Sequence, residues 1–339
     1  MKINLRDPSS FPTRRVEAWK YSDLRRILRE TPPASPADQV APGGPFAVLG
    51  GDELAVVNGR CEGSPSLIAE GPGEHVARLR FVSTAEGAGH QANVAIEVRD
   101  GASLLFLETY EGHAPGYVSN IALAINVGAG GRLTRVVIQD DTEGALSISV
   151  AEVVLGEGAT FQQTVLTSGA RLQRHETRVT HPGQGAEVRI DGLYLLAGAR
   201  HADLTSAVRH GGLNGVTSQR TKGVVRDTAR GVFQGKIVVE RGADGTDARM
   251  GHHALILGER AEVDAKPELE IYADDVQCAH GNTVGNLDES ALFYMQQRGV
   301  PADEARALLT EAFLVEIIDR IAHEGAREVA RAWLTERLA

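Results

Sequence analysis

Gly101-Ala102-Ser103-Leu104, Gly130-Gly131-Arg132-Leu133, Gly158-Ala159-Thr160-Phe161 and Gly185-Ala186-Glu187-Val188 repeat one phrase, a glycine turn followed by alternating apolar residues. The glycines are spaced by 29, 28 and 27 residues, and Gly215-Val216 continues the series at 30. Each interval holds two or more strands of about 5–6 residues with their turns. Glycine suits corners that a side chain would obstruct. One such unit cannot bury its own inner face, whereas stacked units bury a continuous column. The period therefore fits a solenoid, and it also fits a β-sandwich with regular hairpins.

Working outward, strand-like sequence runs from about Gln91 to Ala279. Ahead of it, Ala41–Glu74 is rich in glycine and proline and reads as loops with short strands. The first segment, Arg14–Glu30, places Val16, Trp19, Leu24, Ile27 and Leu28 near helical spacing, with Pro12-Thr13 as its cap and Thr31–Pro36 as its breaker. After Gly285 the pattern turns helical. Asp288 caps one helix, Gly299 stops it, and Pro301 with Asp303 and Glu304 opens another. On that helix Leu309, Phe313, Ile317 and Ile321 recur every four residues beside Leu308. A last helix covers Arg327–Leu338. The boundaries expected are 1–74 for a helical and irregular region, 75–284 for a β core and 285–339 for a helical region.

Composition narrows the function classes. The chain has 339 residues, enough for a sizeable core. Its 38 glycines and 5% aromatics suit frequent turns and stacked small or branched residues rather than a compact enzyme core. A net charge of −10 argues against a surface that holds nucleic-acid phosphates. The two cysteines, Cys61 and Cys278, supply neither a disulfide framework nor four thiolates. The stretch Met1–Asp7 lacks the apolar segment of a signal peptide, and no run approaches 18 apolar residues, so a soluble cytoplasmic protein is expected. The P-loop, GxSxG, HExxH and Rossmann GxGxxG signatures are missing.

The segment Glu268–His280 carries the most chemistry. Leu269, Ile271 and Ala273 alternate and are placed inward; were that phase to persist, Val276, Cys278 and His280 would face outward. Cys278 and His280, two apart on a strand, share a face about 7 Å apart. A thiolate and an imidazole so placed reach an iron or a cluster, with further ligands from another chain or solvent. The competing reading is a core cysteine beside a surface histidine. His252-His253 point to opposite faces, one buried and one solvated. The helical stripe either caps the solenoid or meets another protein.

The run Asp264–Tyr272 through Asp274-Asp275-Val276, Cys278, His280-Gly281, Thr283-Val284-Gly285, Leu287-Asp288 and Leu292-Phe293-Tyr294 to Arg298-Gly299 closely resembles the carboxy-terminal signature of the SufB/SufD family of iron–sulfur cluster assembly scaffolds, in its SufD branch. Pro12-Thr13-Arg14-Arg15, Glu17 and Trp19-Lys20-Tyr21 resemble that family's opening motif, although the stretch from there to the β core is short for it. The resemblance implies a mainly β fold, a right-handed parallel β-helix flanked by helical terminal regions. It implies a non-ATPase subunit of a complex with SufB, paired through the β-helix, and the ATPase SufC, bound by the helices around Leu309, Phe313 and Ile317. It further implies a transient iron or iron–sulfur cluster shared with SufB, His280 as a ligand and Cys278 as its neighbour, and none held by the isolated chain. A β-helix enzyme acting on polysaccharide through Asp274 and Asp275 is the alternative. Whether the isolated chain forms a homodimer stays open.

Overall fold

A computed structural model describes residues 3–338. Met1 and Lys2 of the amino-terminal stretch, and Ala339 at the end of the last region, lie outside the described residues. The strands are β1 (Asp52–Val57), β2 (Ser66–Ala69), β3 (Glu74–Ser83), β4 (Gly89–Val98), β5 (Ser103–Gly112), β6 (Val118–Val127), β7 (Arg132–Asp140), β8 (Leu146–Leu155), β9 (Thr160–Thr167), β10 (Leu172–His181), β11 (Glu187–Leu196), β12 (His201–His210), β13 (Val216–Val225), β14 (Arg230–Val239), β15 (Asp247–Ile256), β16 (Glu262–Ile271) and β17 (Gln277–Gly285). The odd strands form a nine-stranded sheet in chain order, the even strands an eight-stranded one. Their pairings are parallel. The chain alternates between the two sheets and advances one rung at a time. The fold is a parallel β-solenoid, so the glycine period reports stacked rungs and not sandwich hairpins.

The corners explain the spacing. Gly101, Gly130, Gly158 and Gly185 have φ between 62° and 70°, the left-handed region that costs glycine nothing. At the next corner Asn214 (φ 56°), not Gly215, takes that conformation. These residues form a ladder of their own: each amide donates to the next corner, from Gly101 N–H to the Ala129 carbonyl up to Asn214 N–H to the Asp244 carbonyl. Between the sheets, Leu104, Phe106, Leu133, Phe161, Val188, Ile125 and Val153 form the apolar column.

The amino-terminal segment differs from its expected helix. Only α1 (Leu24–Ile27), capped by Asp23, and two short 3-10 turns are helical. The rest is a strap on the outer face of the even sheet. Trp19 and Leu24 pack with Ile148 and Leu172. The Arg174 guanidinium lies over the Trp19 ring at 4.5 Å. Ser22 donates to Asp203 at 2.5 Å, and Lys266 pairs with Glu17. The apolar spacing that looked helical is a set of contacts spread along three rungs of sheet, which a single helix could not reach.

After β17 come α2 (Glu289–Gln297), α3 (Ala302–Ile318) and α4 (Glu324–Leu338). Asp288 caps α2, and Gly299 (φ 88°) ends it. Leu314, Ile317, Ile318, Ile321, Ala330, Trp333 and Leu334 pack onto Leu105, Val136, Ile138, Leu193 and Val224 of the odd sheet. Of the helical stripe, Ile317 and Ile321 are therefore spent inside the chain, Phe313 is partly buried, and Leu308 stays exposed.

Candidate functional site

The solenoid stops at β16 and β17 with no rung beyond them. On the odd sheet the inward column Phe106, Arg135, Gln163, Ile190, Gln219, Met250 ends at His280. The neighbouring inward column runs through Thr217 and Ala248 to Cys278, and the one on the other side through Thr221 and His252 to Asn282. The shared face expected for Cys278 and His280 is present, but it is the inward face. The turn at Asp274-Asp275, where the chain changes sheet, shifts the alternation: Leu269, Ala273, Val276 and Cys278 all pack with Phe233, Ile237, Ala248 and Met250. Ile271, expected inward as well, is 42% exposed because nothing covers it.

The two candidates differ in environment. Cys278 is half-buried, and that burial pushes its thiol pKa up. A metal would have to displace its proton. His280 is exposed at the mouth. Among the described residues no three His, Cys, Asp or Glu side chains converge on one metal position.

Asn282 and His252 complete the mouth; His252 is the buried member of the expected His252-His253 pair, while Asn282 was not singled out by the sequence. His252 is fully buried and stacks on Phe233, with ring centroids 4.8 Å apart and planes 4° from parallel. Its Nε2 lies 2.9 Å from the Tyr194 hydroxyl and its Nδ1 2.7 Å from Asn282 Oδ1. Burial pushes its pKa down to about 4, so the ring is neutral near pH 7. His253 faces the opposite side, as expected, with Nδ1 2.7 Å from the Thr283 hydroxyl. The rung period itself held the missing signal, because 30 residues back from His280 and Asn282 stand Met250 and His252.

The remaining expectations fall elsewhere. Ile317 is 0% exposed against the odd sheet, and Phe313 is partly buried beneath the Lys222 ammonium, 4.4 Å from its ring. Leu309 is half-buried. The exposed large apolar side chains on these helices are Phe293 (63%), Tyr294 (60%) and Leu308 (43%). Asp274 and Asp275 lie in the exposed corner between β16 and β17, where the Asp275 carbonyl accepts from Gly245 N–H. No helix among the described residues is long and apolar enough to cross a membrane.

The molecule is thus of the class of parallel β-solenoids, here with an uncovered last rung and a thiol and an imidazole on one edge strand. The chain belongs to the SUF system FeS cluster assembly family, SufBD core domain, which matches residues 81–313. It is similar to the iron–sulfur cluster assembly protein SufD of Escherichia coli, 31% identical over 258 residues, covering 74% of this chain and 61% of that protein. It is also similar to a SufBD family protein of Synechocystis, 32% identical over 205 residues, 60% of this chain and 45% of that one. A SufBD family protein of Mycobacterium tuberculosis is 26% identical over 363 residues, 98% of this chain and 90% of that one. The chain thus spans less than two thirds of the length of the first two.

Proposed function

We propose that this chain is a non-ATPase scaffold subunit, SufD-like, on which an iron–sulfur cluster is assembled in the cytoplasm. The cluster or its iron is the cargo, shared across the open rung with a SufB-type subunit. His280 is the ligand this chain contributes, and Cys278 assists once its proton is displaced. The observation that carries the reading is His280 exposed on the inward face of an edge strand, where the next rung would have to come from another chain. Imidazole and thiolate both suit iron. Family membership supports the same reading.

A SufC-type ATPase is proposed to work through the carboxy-terminal helices. Its contact belongs on the outer surface around Phe293, Tyr294 and Leu308, since Ile317 is committed to the sheet. α2 has no buried residue, and α3 and the turn after it are tied to the sheet partly by ionic contacts, Glu316 to Lys222 at 2.5 Å and Arg320 to Asp191 at 2.9 Å. Hydrolysis by the ATPase would act through these helices to open the junction at the mouth.

The test is His280→Ala in the reconstituted complex. Cluster yield is expected to fall about tenfold or more, with the subunits still co-purifying. A normal yield of iron and acid-labile sulfide removes His280 from the mechanism. Cys278→Ala is expected to reduce the yield less.

A further inference from the structure

The hydrogen-bond chain behind Asn282 has a direction. Among the described residues the Tyr194 hydroxyl has one partner, His252 Nε2. A buried hydroxyl proton left without an acceptor is costly, so Tyr194 donates and Nε2 accepts. In a neutral imidazole the proton then sits on Nδ1. That N–H is donated to Asn282, which must receive it on its carbonyl oxygen. The Asn282 amide is thereby fixed with its NH2 group turned away from His252, and the residue itself is exposed at the mouth.

The chain is built rather than incidental. A Cβ on Gly223 would fall 1.8 Å from Tyr194 Cζ, and one on Gly231 2.5 Å from Cε2. Two glycines on facing sheets therefore clear the slot that Tyr194 occupies. Phe233 holds the His252 ring flat from the other side.

We infer that Asn282 is a further cargo-contacting residue: its NH2 donates hydrogen bonds to the sulfide or thiolate sulfur of the cluster held beside His280, and His252 and Tyr194 are the positioning residues that aim it. The inference deepens the assembly reading above and rests on it. His280 and Asn282 are two residues apart on one strand face, about 7 Å, the span between a ligand on iron and a donor on that iron's sulfur. Hydrogen bonds to sulfur tune a cluster's stability and potential. A neutral amide is suited to cargo that must leave, because it holds the sulfur without adding a covalent ligand.

Two measurements test it. In the isolated full chain, histidine 15N NMR should show His252, assigned by loss of its signal in His252→Phe, as the Nδ1–H tautomer; an Nε2–H tautomer overturns the aim of the amide. In the reconstituted complex, Asn282→Asp keeps the size and the acceptor for His252 but replaces the donor by a negative charge. Asn282→Ala should leave iron and sulfide content near that of the natural chain, shift the sulfur-to-iron absorption bands and speed cluster release to an acceptor about fivefold. Asn282→Asp should do so more strongly. Bands and release rates unchanged in both variants overturn the inference alone, as does a loss confined to subunit assembly. A natural complex without iron and sulfide overturns the assembly reading and this inference with it.

Discussion

His210 Nε2 is hydrogen-bonded with the Thr217 hydroxyl (2.9 Å), and its Nδ1 meets Nε2 of the fully buried His181 at 2.6 Å. Burial pushes the pKa of His210 down to about 3, with His181 adding to the effect, and burial holds His90 and His252 at about 4. In the unfolded chain these residues take up protons below pH 6.5, while the folded chain stays neutral there. Their effect on stability is absent above 6.5 and grows as pH falls toward the folded values. At pH 5 each should cost about 2 kcal/mol. Chemical denaturation between pH 7 and 5 should show stability falling, and His210→Asn should reduce the slope by up to about 1.4 kcal/mol per pH unit. A slope unaltered in that variant means His210 is not held neutral by the fold. At this scale the sequence was partly legible. His280 and Cys278 stood out as chemistry, and their shared face followed from their spacing. Their inward direction did not, because one corner at Asp274-Asp275 resets the alternation. Asn282, and its partnership with His252, were silent because that partnership spans 30 residues and exists only through register.

Elements were legible where local signals agree with tertiary use. Asp288, Gly299 and Pro301 mark helix ends by their own backbone chemistry, and they stand where expected. The Arg14–Glu30 segment misled because its apolar residues serve the outer face of the even sheet and not a helix stripe. The α3 stripe was expected to be amphipathic, but the helix is only weakly so, with Leu308 and Leu309 off the buried side, and spacing cannot say which surface an apolar face meets. Here Ile317 and Leu314 meet Leu193 and Val224, while Leu308 stays outside. Ile317→Ala should therefore destabilise the chain by roughly 2–5 kcal/mol and speed amide exchange in α3 and α4. Leu308→Ala should leave stability within about 0.5 kcal/mol and weaken binding of the proposed ATPase partner. Denaturation and exchange on the isolated chain, with a pull-down for Leu308→Ala, separate the two roles. If Leu308→Ala destabilises as much as Ile317→Ala, the division of the helix into a docked and an offered face is wrong.

The whole molecule is asymmetric along its axis. In the middle, the buried Arg135 guanidinium is bound twice by Glu108 at 2.9 Å and once by Gln163. At the carboxy-terminal end, β16 and β17 contain no buried residue, whereas β14 is mostly buried. Stacked rungs are stable through their neighbours, and a terminal rung without a cap lacks half of that support. β16 is protected as an edge by Pro267 and its charges, but Gln277–Gly285 carries no Asp, Glu, Lys or Arg. An uncharged, unpaired edge beside exposed Val284 and Tyr272 pairs readily with another strand. The glycine period made the stack readable from sequence; its unguarded end became readable only once the last rung was located. Binding of a SufB-type subunit should slow amide exchange in β16 and β17 while leaving β1 and β2 unchanged. Val284→Lys puts a charge into that junction and should weaken the association about tenfold or more, because a charge buried without a partner is strongly disfavoured. The isolated variant should unfold within a few degrees of the natural chain, since Val284 is already 45% exposed. Sedimentation velocity on mixed subunits measures the association. If exchange in β17 is the same with and without the partner, the last rung is not where the second chain sits, and the proposed sharing of a cluster through His280 fails with it.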